Sequence, residues 1–212
     1  MMEAEYNDIL KQLKAAGDWA YARGLPDHPP FKSAPSAAER LLALAPPGTA
    51  MLVMRDQCLG PLRELMLRRS FTLITTDKCG ERVFEIPSDA LGTGRLRGAT
   101  AKERGKLRLS QLPGCARPYA GKVDAIVVGC LAYEVGQPFL YSFDTDRTAL
   151  TLENLVDGSS QGFTLDAATP VLCMASDAQE VSGWPSDARS SVAAHLVVTA
   201  TRYVSLDNRD GR

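Results

Sequence analysis

Three carboxylates and two tyrosines lie close together near the middle of this sequence, after a short apolar run. The five residues are Tyr133, Glu134, Tyr141, Asp144 and Asp146. A carboxylate can act as a general base or bind a divalent cation, so we take Glu134, Asp144 and Asp146 as candidate catalytic residues. The segment 133–146 is therefore the first place at which we expect chemistry.

The apolar run before this segment predicts where it lies in the fold. All four residues of Ala125–Val128 are apolar, and three of them are β-branched. Such a run is typical of a strand buried on both faces of a parallel sheet. Because ligands of open α/β sheets bind outside the carboxyl ends of the strands, the residues after Val128 should face a binding cleft.

The two aspartates have two interpretations that the sequence leaves open. Asp144 and Asp146 are separated by one residue, which puts both side chains on one side of an extended segment. There they would bind a cation or the amine of a substrate. Alternatively, Asp146 caps a short helix that we predict over Thr148–Val156, and the loop is simply solvated. We assign no set of metal ligands.

Arg55 and Gln57 are candidate ligand contacts for a similar reason. Both follow a predicted strand over residues 50–54, so they should reach the same edge of the sheet. An arginine at this position either binds a substrate carboxylate with two hydrogen bonds or forms a structural ion pair.

Composition excludes several classes of partner. With 24 basic and 25 acidic residues, the net charge of −1 offers no field for nucleic acid or an anionic membrane. No apolar run approaches the ~20 residues that span a bilayer, and the acidic N-terminus does not resemble a signal peptide. Five cysteines without a C-x-x-C pair suggest neither disulfides nor zinc, so we expect a reduced, cytoplasmic protein.

The order of predicted elements indicates one α/β domain over residues 1–212. Ser36 and Glu39 form the pattern of a capping box, which predicts a helix from there through Ala45. The other predicted elements are helices over 3–23, 60–69 and 148–156, and strands over 50–54, 71–76, 82–86, 124–129, 170–175 and 196–201. We expect a three-layer α/β/α sandwich with a mainly parallel sheet. Residues 88–122 are either a mobile insertion or a lid.

Familiar nucleotide and hydrolase motifs are absent. The sequence contains no G-x-G-x-x-G, no G-x-x-x-x-G-K-[ST] and no G-x-S-x-G. Its two histidines are His28, in a proline-rich crossing, and His195, which we predict at a sheet edge. Cys130 lies at the end of a predicted strand, and nothing nearby in sequence would activate it as a nucleophile.

Several stretches together resemble the 5-formyltetrahydrofolate cyclo-ligase family, especially its divergent cyclo-ligase-like branch. The order and spacing of the pieces match that branch over most of the chain. The matching stretches are Asp27–Lys32 with Ala37–Leu41, Asp56–Gln57 with Pro61 and Arg63, Phe71–Pro87, Val123–Ala132, Thr169–Leu172, Gln179–Val181 and Leu196–Thr199. The resemblance implies the cyclo-ligase fold.

Members of that family convert 5-formyltetrahydrofolate to 5,10-methenyltetrahydrofolate with ATP and Mg²⁺. The resemblance implies that Lys32, Arg55 and Arg63 lie near phosphates, and that Tyr133, Tyr141 and Gln179 lie near the pterin. Gln57 belongs to the same matched stretch as Arg63 and is therefore also a candidate ligand contact. ATP and Mg²⁺ are the expected cofactors only if this activity is retained.

The family's glycine-rich phosphate loop is replaced in this sequence. The corresponding stretch is Gly136–Asp146, in which one glycine remains. Pro138 lacks an N–H donor, Phe139 and Leu140 are bulky, and the two aspartates would repel a triphosphate.

Three hypotheses follow. We favour a diverged enzyme that acts on a small carboxylate- or amine-bearing metabolite without the family's phosphate loop. The second hypothesis is the family's own ATP-dependent activity. The third is a non-catalytic binding protein on the same fold, which would pair as a homodimer.

Overall fold

The central element of the fold is a mixed β-sheet that runs through the described part of the chain. The computed structural model describes residues 2–20, 28–76, 82–86, 117–142, 165–166, 168–183 and 189–206. Within these residues the helices are α1 (Met2–Ala15), α2 (Ala34–Leu42) and α3 (Gly60–Arg68). The strands are β1 (Ala50–Val53), β2 (Thr72–Thr76), β3 (Val83–Ile86), β4 (Arg117–Pro118), β5 (Ala125–Val128), β6 (Phe139–Tyr141), β7 (Val171–Met174), β8 (Arg189–Ala193), β9 (Leu196–Val198) and β10 (Tyr203–Ser205).

Eight of these strands form one sheet with the order β10-β9-β7-β5-β1-β2-β3-β4. The inner strands β9, β7, β5, β1 and β2 are parallel, while β10, β3 and β4 are antiparallel additions at the two edges. Every residue of β1 and β5 is buried, as expected for strands covered on both faces. The predicted α/β class and mainly parallel sheet are confirmed.

The position of β1 creates the topological switch point of the sheet. β1 pairs with β2 on one side and with β5 on the other. After β1 the chain first adds β2 and β3 on one side of β1, and it later adds β5, β7 and β9 on the other side. The connections diverge between the carboxyl ends of β1 and β5, which is where open α/β sheets form a ligand-binding crevice.

The helices cover the sheet through apolar faces. α2 buries Leu41 and Leu42, and it packs on α3 and on β7 and β9. α1 buries Ile9 and Leu13 and contacts the 3₁₀ turn Asp177–Gln179. At roughly 1.5–3 kcal/mol for each fully buried large aliphatic side chain, these contacts are a major stabilising term for the fold.

The first two helices differ from their predicted bounds. α1 ends at Ala15 rather than continuing, since Gly17 adopts a φ of +68° and Trp19 then forms a β-bridge with Phe31. α2 begins at Ala34, so the predicted capping box at Ser36 was wrong. Ser33 occupies the N-cap, and its hydroxyl donates to Asp18 Oδ2 at 2.7 Å instead of capping the helix.

Several predicted elements changed at their ends or lie outside the described residues. The strand predicted over 196–201 ends at Val198, where Thr199 and Arg202 form a turn. The pattern did not predict β4, β6, β8 and β10, none of which belongs to the parallel centre of the sheet, where continuous apolar runs indicate strands. The predicted helix over Thr148–Val156 and most of the segment 88–122 lie outside the described residues. Of that segment, Arg117–Pro118 pairs with β3.

No described helix combines the length and the apolar character that crossing a bilayer would require.

Candidate functional site

Asp56 connects the two strand ends that form the switch point. It lies just beyond β1, and its Oδ2 accepts a hydrogen bond at 3.1 Å from the N–H of Gly129, which directly follows β5. A Cβ atom on Gly129 would lie 2.6 Å from Cys58 Sγ, 3.1 Å from His28 Nδ1 and 3.2 Å from Asp56 Oδ2. Only glycine therefore allows these three side chains to converge on the end of β5.

His28 extends this contact into a chain of three polar side chains. Its Nδ1 is 3.0 Å from Asp56 Oδ1, and its Nε2 is 3.2 Å from Ser142 Oγ. His28 is buried, whereas Asp56 and Ser142 are partly exposed. We call Ser142, His28 and Asp56 the polar triad. It joins the proline-rich crossing, the end of β1 and the end of β6.

The surroundings of Asp56 favour its ionised form. Burial alone would raise its pKa, but the charge and hydrogen bond of His28, the Gly129 N–H and the charge of Arg63 together lower that pKa below the ordinary value of 3.8. Asp56 is consequently a carboxylate near neutral pH. It is able to orient the imidazole of His28 and stabilise its protonated form.

Arg63 supports the loop that carries Asp56. Its side chain is buried, with Nη1 donating to Met54 O at 2.5 Å and Nη2 donating to Asp56 O at 2.9 Å. Burial lowers the pKa of Arg63 to about 10, although the Asp56 charge acts in the opposite direction. Arg63 thus remains charged near neutral pH and binds main-chain carbonyls. Its two hydrogen bonds to main-chain carbonyls give it a structural role, and the phosphate contact that the resemblance implied stays a prediction.

A cleft of about 920 Å³ lies beside the polar triad. Its apolar walls come from the N-terminal loop, the start of α2 and the start of α3. They include Trp19, Pro30, Phe31, Pro61 and Leu65. Gln57 and Cys58, the two residues after Asp56, also line it. Because Cys58 Sγ lies close to Gly129, where His28 and Asp56 also converge, these two members of the triad lie directly behind this wall.

The cationic side chains of the cleft lining are Lys32 and Arg68, and the N-termini of two helices lie beside them. Lys32 lines the cleft, and its Nζ donates to Gly17 O at 3.0 Å. The first turns of α2 and α3 line it as well, and a helix N-terminus carries a partial positive charge. Two acidic residues of the lining, Glu39 and Glu64, form ion pairs with Arg69 and Arg68. The arrangement is suited to an anionic group among apolar walls.

Only some of the ligand contacts predicted after β1 and in the proline-rich crossing lie in the cleft. Lys32 and Gln57 both line the cleft. Arg55 is half-buried beyond β1 and does not line it. Their roles toward a ligand stay predictions.

The predicted residues after β5 form a separate group. Tyr141 donates its hydroxyl hydrogen to Glu134 Oε2 at 2.9 Å, and Glu134 Oε1 accepts from Gly183 N–H at 2.8 Å. Tyr133 is fully buried, and its main-chain groups pair with those of the segment after β7. Burial raises the pKa of Tyr133 well above its ordinary value, so its hydroxyl stays protonated. These three residues do not line the cleft, and nothing yet tests Glu134 as a catalytic residue.

Gln179 is almost fully buried and holds strand ends together. Its Nε2 donates to Cys130 O at 2.8 Å and to Leu131 O at 3.0 Å, while its Oε1 accepts from Ser176 N–H at 2.7 Å. This use of the amide leaves the predicted ligand contact without support. Asp144 and Asp146, the other candidate catalytic residues, lie outside the described residues.

Sequence reasoning did not assign His28, Asp56 or Ser142 to the site. One signal was available, since Asp56 follows one strand of the predicted parallel centre and Gly129 is the last residue of another. His28 belonged to a crossing without regular structure, and Ser142 followed a strand that was not predicted. Their meeting depends on the tertiary fold.

The described cysteines are poor candidates for nucleophiles. Cys58, Cys130 and Cys173 are free and buried. Burial raises the pKa of both Cys58 and Cys173 well above the ordinary thiol value, and nearby Asp56 adds to the effect at Cys58. No group of three or more histidine, cysteine or acidic residues suited to a metal ion occurs in the part of the chain that the structure describes.

Comparison with solved structures supports the fold. The NMR structure of 5,10-methenyltetrahydrofolate synthetase from Aquifex aeolicus is similar with a TM-score of 0.55 and 16% identity, covering 100% of this chain and 95% of that chain. The eIF2B beta structure from Chaetomium thermophilum has a TM-score of 0.48 and 10% identity, covering 84% of this chain and 51% of that one. No protein-family model and no curated protein matches the sequence. The described fold is thus cyclo-ligase-like. A sequence identity of 16% supports a conclusion about the fold only.

Proposed function

We propose that this protein is a diverged enzyme on a cyclo-ligase-like fold that acts on a small carboxylate-bearing metabolite. The observation that carries the proposal is the cleft beside the switch point, with Lys32 in its lining and the His28–Asp56 pair directly behind its wall. The cleft would bind the metabolite, and Lys32 would contact its carboxylate.

The dimensions and lining of the cleft support a small organic ligand. Small-molecule pockets are typically roughly 300–1,000 Å³, mostly apolar, with a few polar groups that fix orientation. The volume of about 920 Å³ falls in this range, and Trp19 and Phe31 offer flat apolar surfaces. Gln57 adds an amide that can hydrogen-bond a polar ligand group.

The charges of the lining favour a carboxylate over an amine. Lys32 and the N-termini of α2 and α3 attract negative charge, while both acidic side chains of the lining already pair with arginines. An amine would lack an unpaired carboxylate among the described lining residues.

The segment that corresponds to the family's phosphate loop supports a reaction without that loop. Gln137 N–H donates to Glu134 O at 3.1 Å, and Tyr141 N–H donates to Ala132 O at 3.0 Å. Pro138 has no N–H, and Phe139–Tyr141 forms strand β6 against β8. These amides are engaged within the protein, so they are poor partners for a polyphosphate.

Ligand-induced stabilisation tests the proposal. The purified chain would be heated with a panel of mono- and dicarboxylates, amino acids, a folate and ATP–Mg²⁺. A ligand at about 100 times its dissociation constant should add about 2.7 kcal/mol to the free energy of unfolding. We expect a carboxylate to stabilise the wild type and K11Q, a control at an exposed lysine, but to stabilise K32Q much less.

The other hypotheses predict different results from the same panel. Stabilisation by ATP–Mg²⁺ together with formylfolate-dependent ADP release would replace the proposal with the cyclo-ligase activity. No response to any carboxylate would contradict the proposal and favour a non-catalytic binding protein.

A further inference from the structure

We propose that Ser142 is a nucleophile and that the polar triad transfers an acyl group from a carboxylic ester. The proposal rests on the enzymatic role proposed above, but it does not depend on Lys32 or on which ligand occupies the cleft. The supporting geometry is the contact of Ser142 Oγ with His28 Nε2 at 3.2 Å and of His28 Nδ1 with Asp56 Oδ1 at 3.0 Å.

Each ring nitrogen of His28 faces the partner that this chemistry requires. An ionised Asp56, whose Oδ1 lies 3.0 Å from Nδ1, favours a proton on that nitrogen and so leaves the Nε2 lone pair toward Ser142. The Ser142 hydroxyl can then donate to Nε2 and pass its proton to it. A serine, a histidine base and a carboxylate that orients the base are the parts of nucleophilic catalysis by a hydroxyl group.

The triad is assembled from distant parts of the chain and is braced on several sides. Ser142 and His28 are separated by 114 residues. Asp56 is oriented by the Gly129 N–H, and its main-chain carbonyl is held by Arg63. This support holds the carboxylate in place, as a preorganised site requires.

The position of the triad is also that of a binding site. It lies at the switch point between β1 and β5, next to the wall of the cleft. His28 is buried, whereas Ser142 is partly exposed at the end of β6. A substrate can therefore approach the hydroxyl while the imidazole stays shielded from water.

The reaction balances with an ester and water alone. Ser142 Oγ adds to the ester carbonyl carbon as its proton moves to His28 Nε2. The alcohol leaves with that proton, and an acyl ester on Ser142 remains. Water then adds to this ester, His28 accepts the water's proton and returns it to Ser142 Oγ, and a carboxylic acid is released.

Covalent labelling of the full chain tests this inference. The protein would be treated with a fluorophosphonate probe and digested, and the modified serine would be identified by mass spectrometry. We expect modification at Ser142, its loss in S142A, and a labelling rate about 100-fold lower in D56N, because base catalysis typically contributes about that much. S205A, at an exposed serine of β10, is the matched control and should label like the wild type.

Hydrolysis of p-nitrophenyl acetate provides a second readout. It compares only the wild type and S142A, so it needs no variant of the buried His28. We expect a burst of p-nitrophenol equal to the enzyme concentration in the wild type and no burst in S142A. A folded wild type without modification at Ser142 and without a burst would overturn the inference.

The two proposals fail in distinguishable ways. If a carboxylate stabilises the wild type and Ser142 is not modified, the nucleophile assignment alone is wrong. If Ser142 is modified equally in the wild type and K32Q while no carboxylate stabilises the protein, the proposed carboxylate ligand alone is wrong.

Discussion

The Asp56 carboxylate accepts a hydrogen bond at 3.1 Å from the main-chain N–H of Gly129 and so ties together the ends of the two central strands. This contact sets the geometry of the switch point. It leaves the other carboxylate oxygen of Asp56 for His28. Four predictions concern the residues around it.

Replacing Gly129 by alanine should destabilise the protein. The new Cβ would lie 2.6 Å from Cys58 Sγ and 3.1 Å from His28 Nδ1, and both neighbours are buried. Such overpacking typically costs about 1–3 kcal/mol, measurable as a lower midpoint of urea unfolding. In the control G121A, the new Cβ meets the end of the Tyr119 side chain, which is able to move. A G129A protein as stable as G121A would contradict this account.

Asp56 should make the protein sensitive to acid. Its pKa is lower in the folded chain than the ordinary value of 3.8, so it stabilises the fold at pH values above that point. This stabilisation should be lost as the pH falls through 3.8 and below, when the carboxylate is protonated.

The D56N variant isolates that effect. We expect its free energy of unfolding to change less than that of the wild type between neutral pH and about pH 3. D8N, at an exposed aspartate paired with Lys11, serves as the control and should follow the wild type. Identical acid sensitivity in D56N and the wild type would show that Asp56 is not the cause of that sensitivity.

Removing the Arg63 guanidinium should be costly. Arg63→Met loses the donors to Met54 O and Asp56 O and removes one of the cationic groups near Asp56. Leaving a buried hydrogen-bonding group without its partner typically costs about 1–3 kcal/mol. Arg69→Gln, which breaks an exposed pair with Glu39, should cost only about 0–1 kcal/mol. Equal losses in the two variants by urea unfolding would argue against a structural role for Arg63.

The three described thiols should be unreactive in the folded protein. Cys58, Cys130 and Cys173 are buried, and burial raises the pKa of Cys58 and Cys173. In a variant without Cys79 and Cys115, an aromatic disulfide reagent should modify none of the three at neutral pH. All three should react once urea unfolds the chain. Rapid modification of Cys58 in the folded protein would mean that the wall between the cleft and the triad opens.

Local patterns predicted most of the central sheet. The apolar runs of β1, β2, β5, β7 and β9 were identified because strands buried on both faces need continuous apolar residues. The strand predicted over 82–86 is also present, as β3, which pairs with β2 in antiparallel register. The resemblance of scattered stretches to the cyclo-ligase family pointed to the same fold, which the structural comparison supports.

The start of α2 shows where local signals fail. Ser36 and Glu39 have the spacing of a capping box, yet Pro35 in the first turn allows the helix to begin at Ala34. Ser33 at the N-cap then bonds to Asp18, a residue in a different part of the chain. A sequence pattern alone cannot weigh such a tertiary contact.

By itself, the sequence determined which segments form the buried parallel centre of the sheet, because strands covered on both faces need continuous apolar residues. Only the tertiary structure decided which polar side chains meet at the ends of these strands. Lys32 and Gln57 entered the cleft, Arg63 and Gln179 bound the main chain, and His28 met Asp56 and Ser142. These encounters join residues far apart in the chain, and their geometry depends on the packing of all the elements between them.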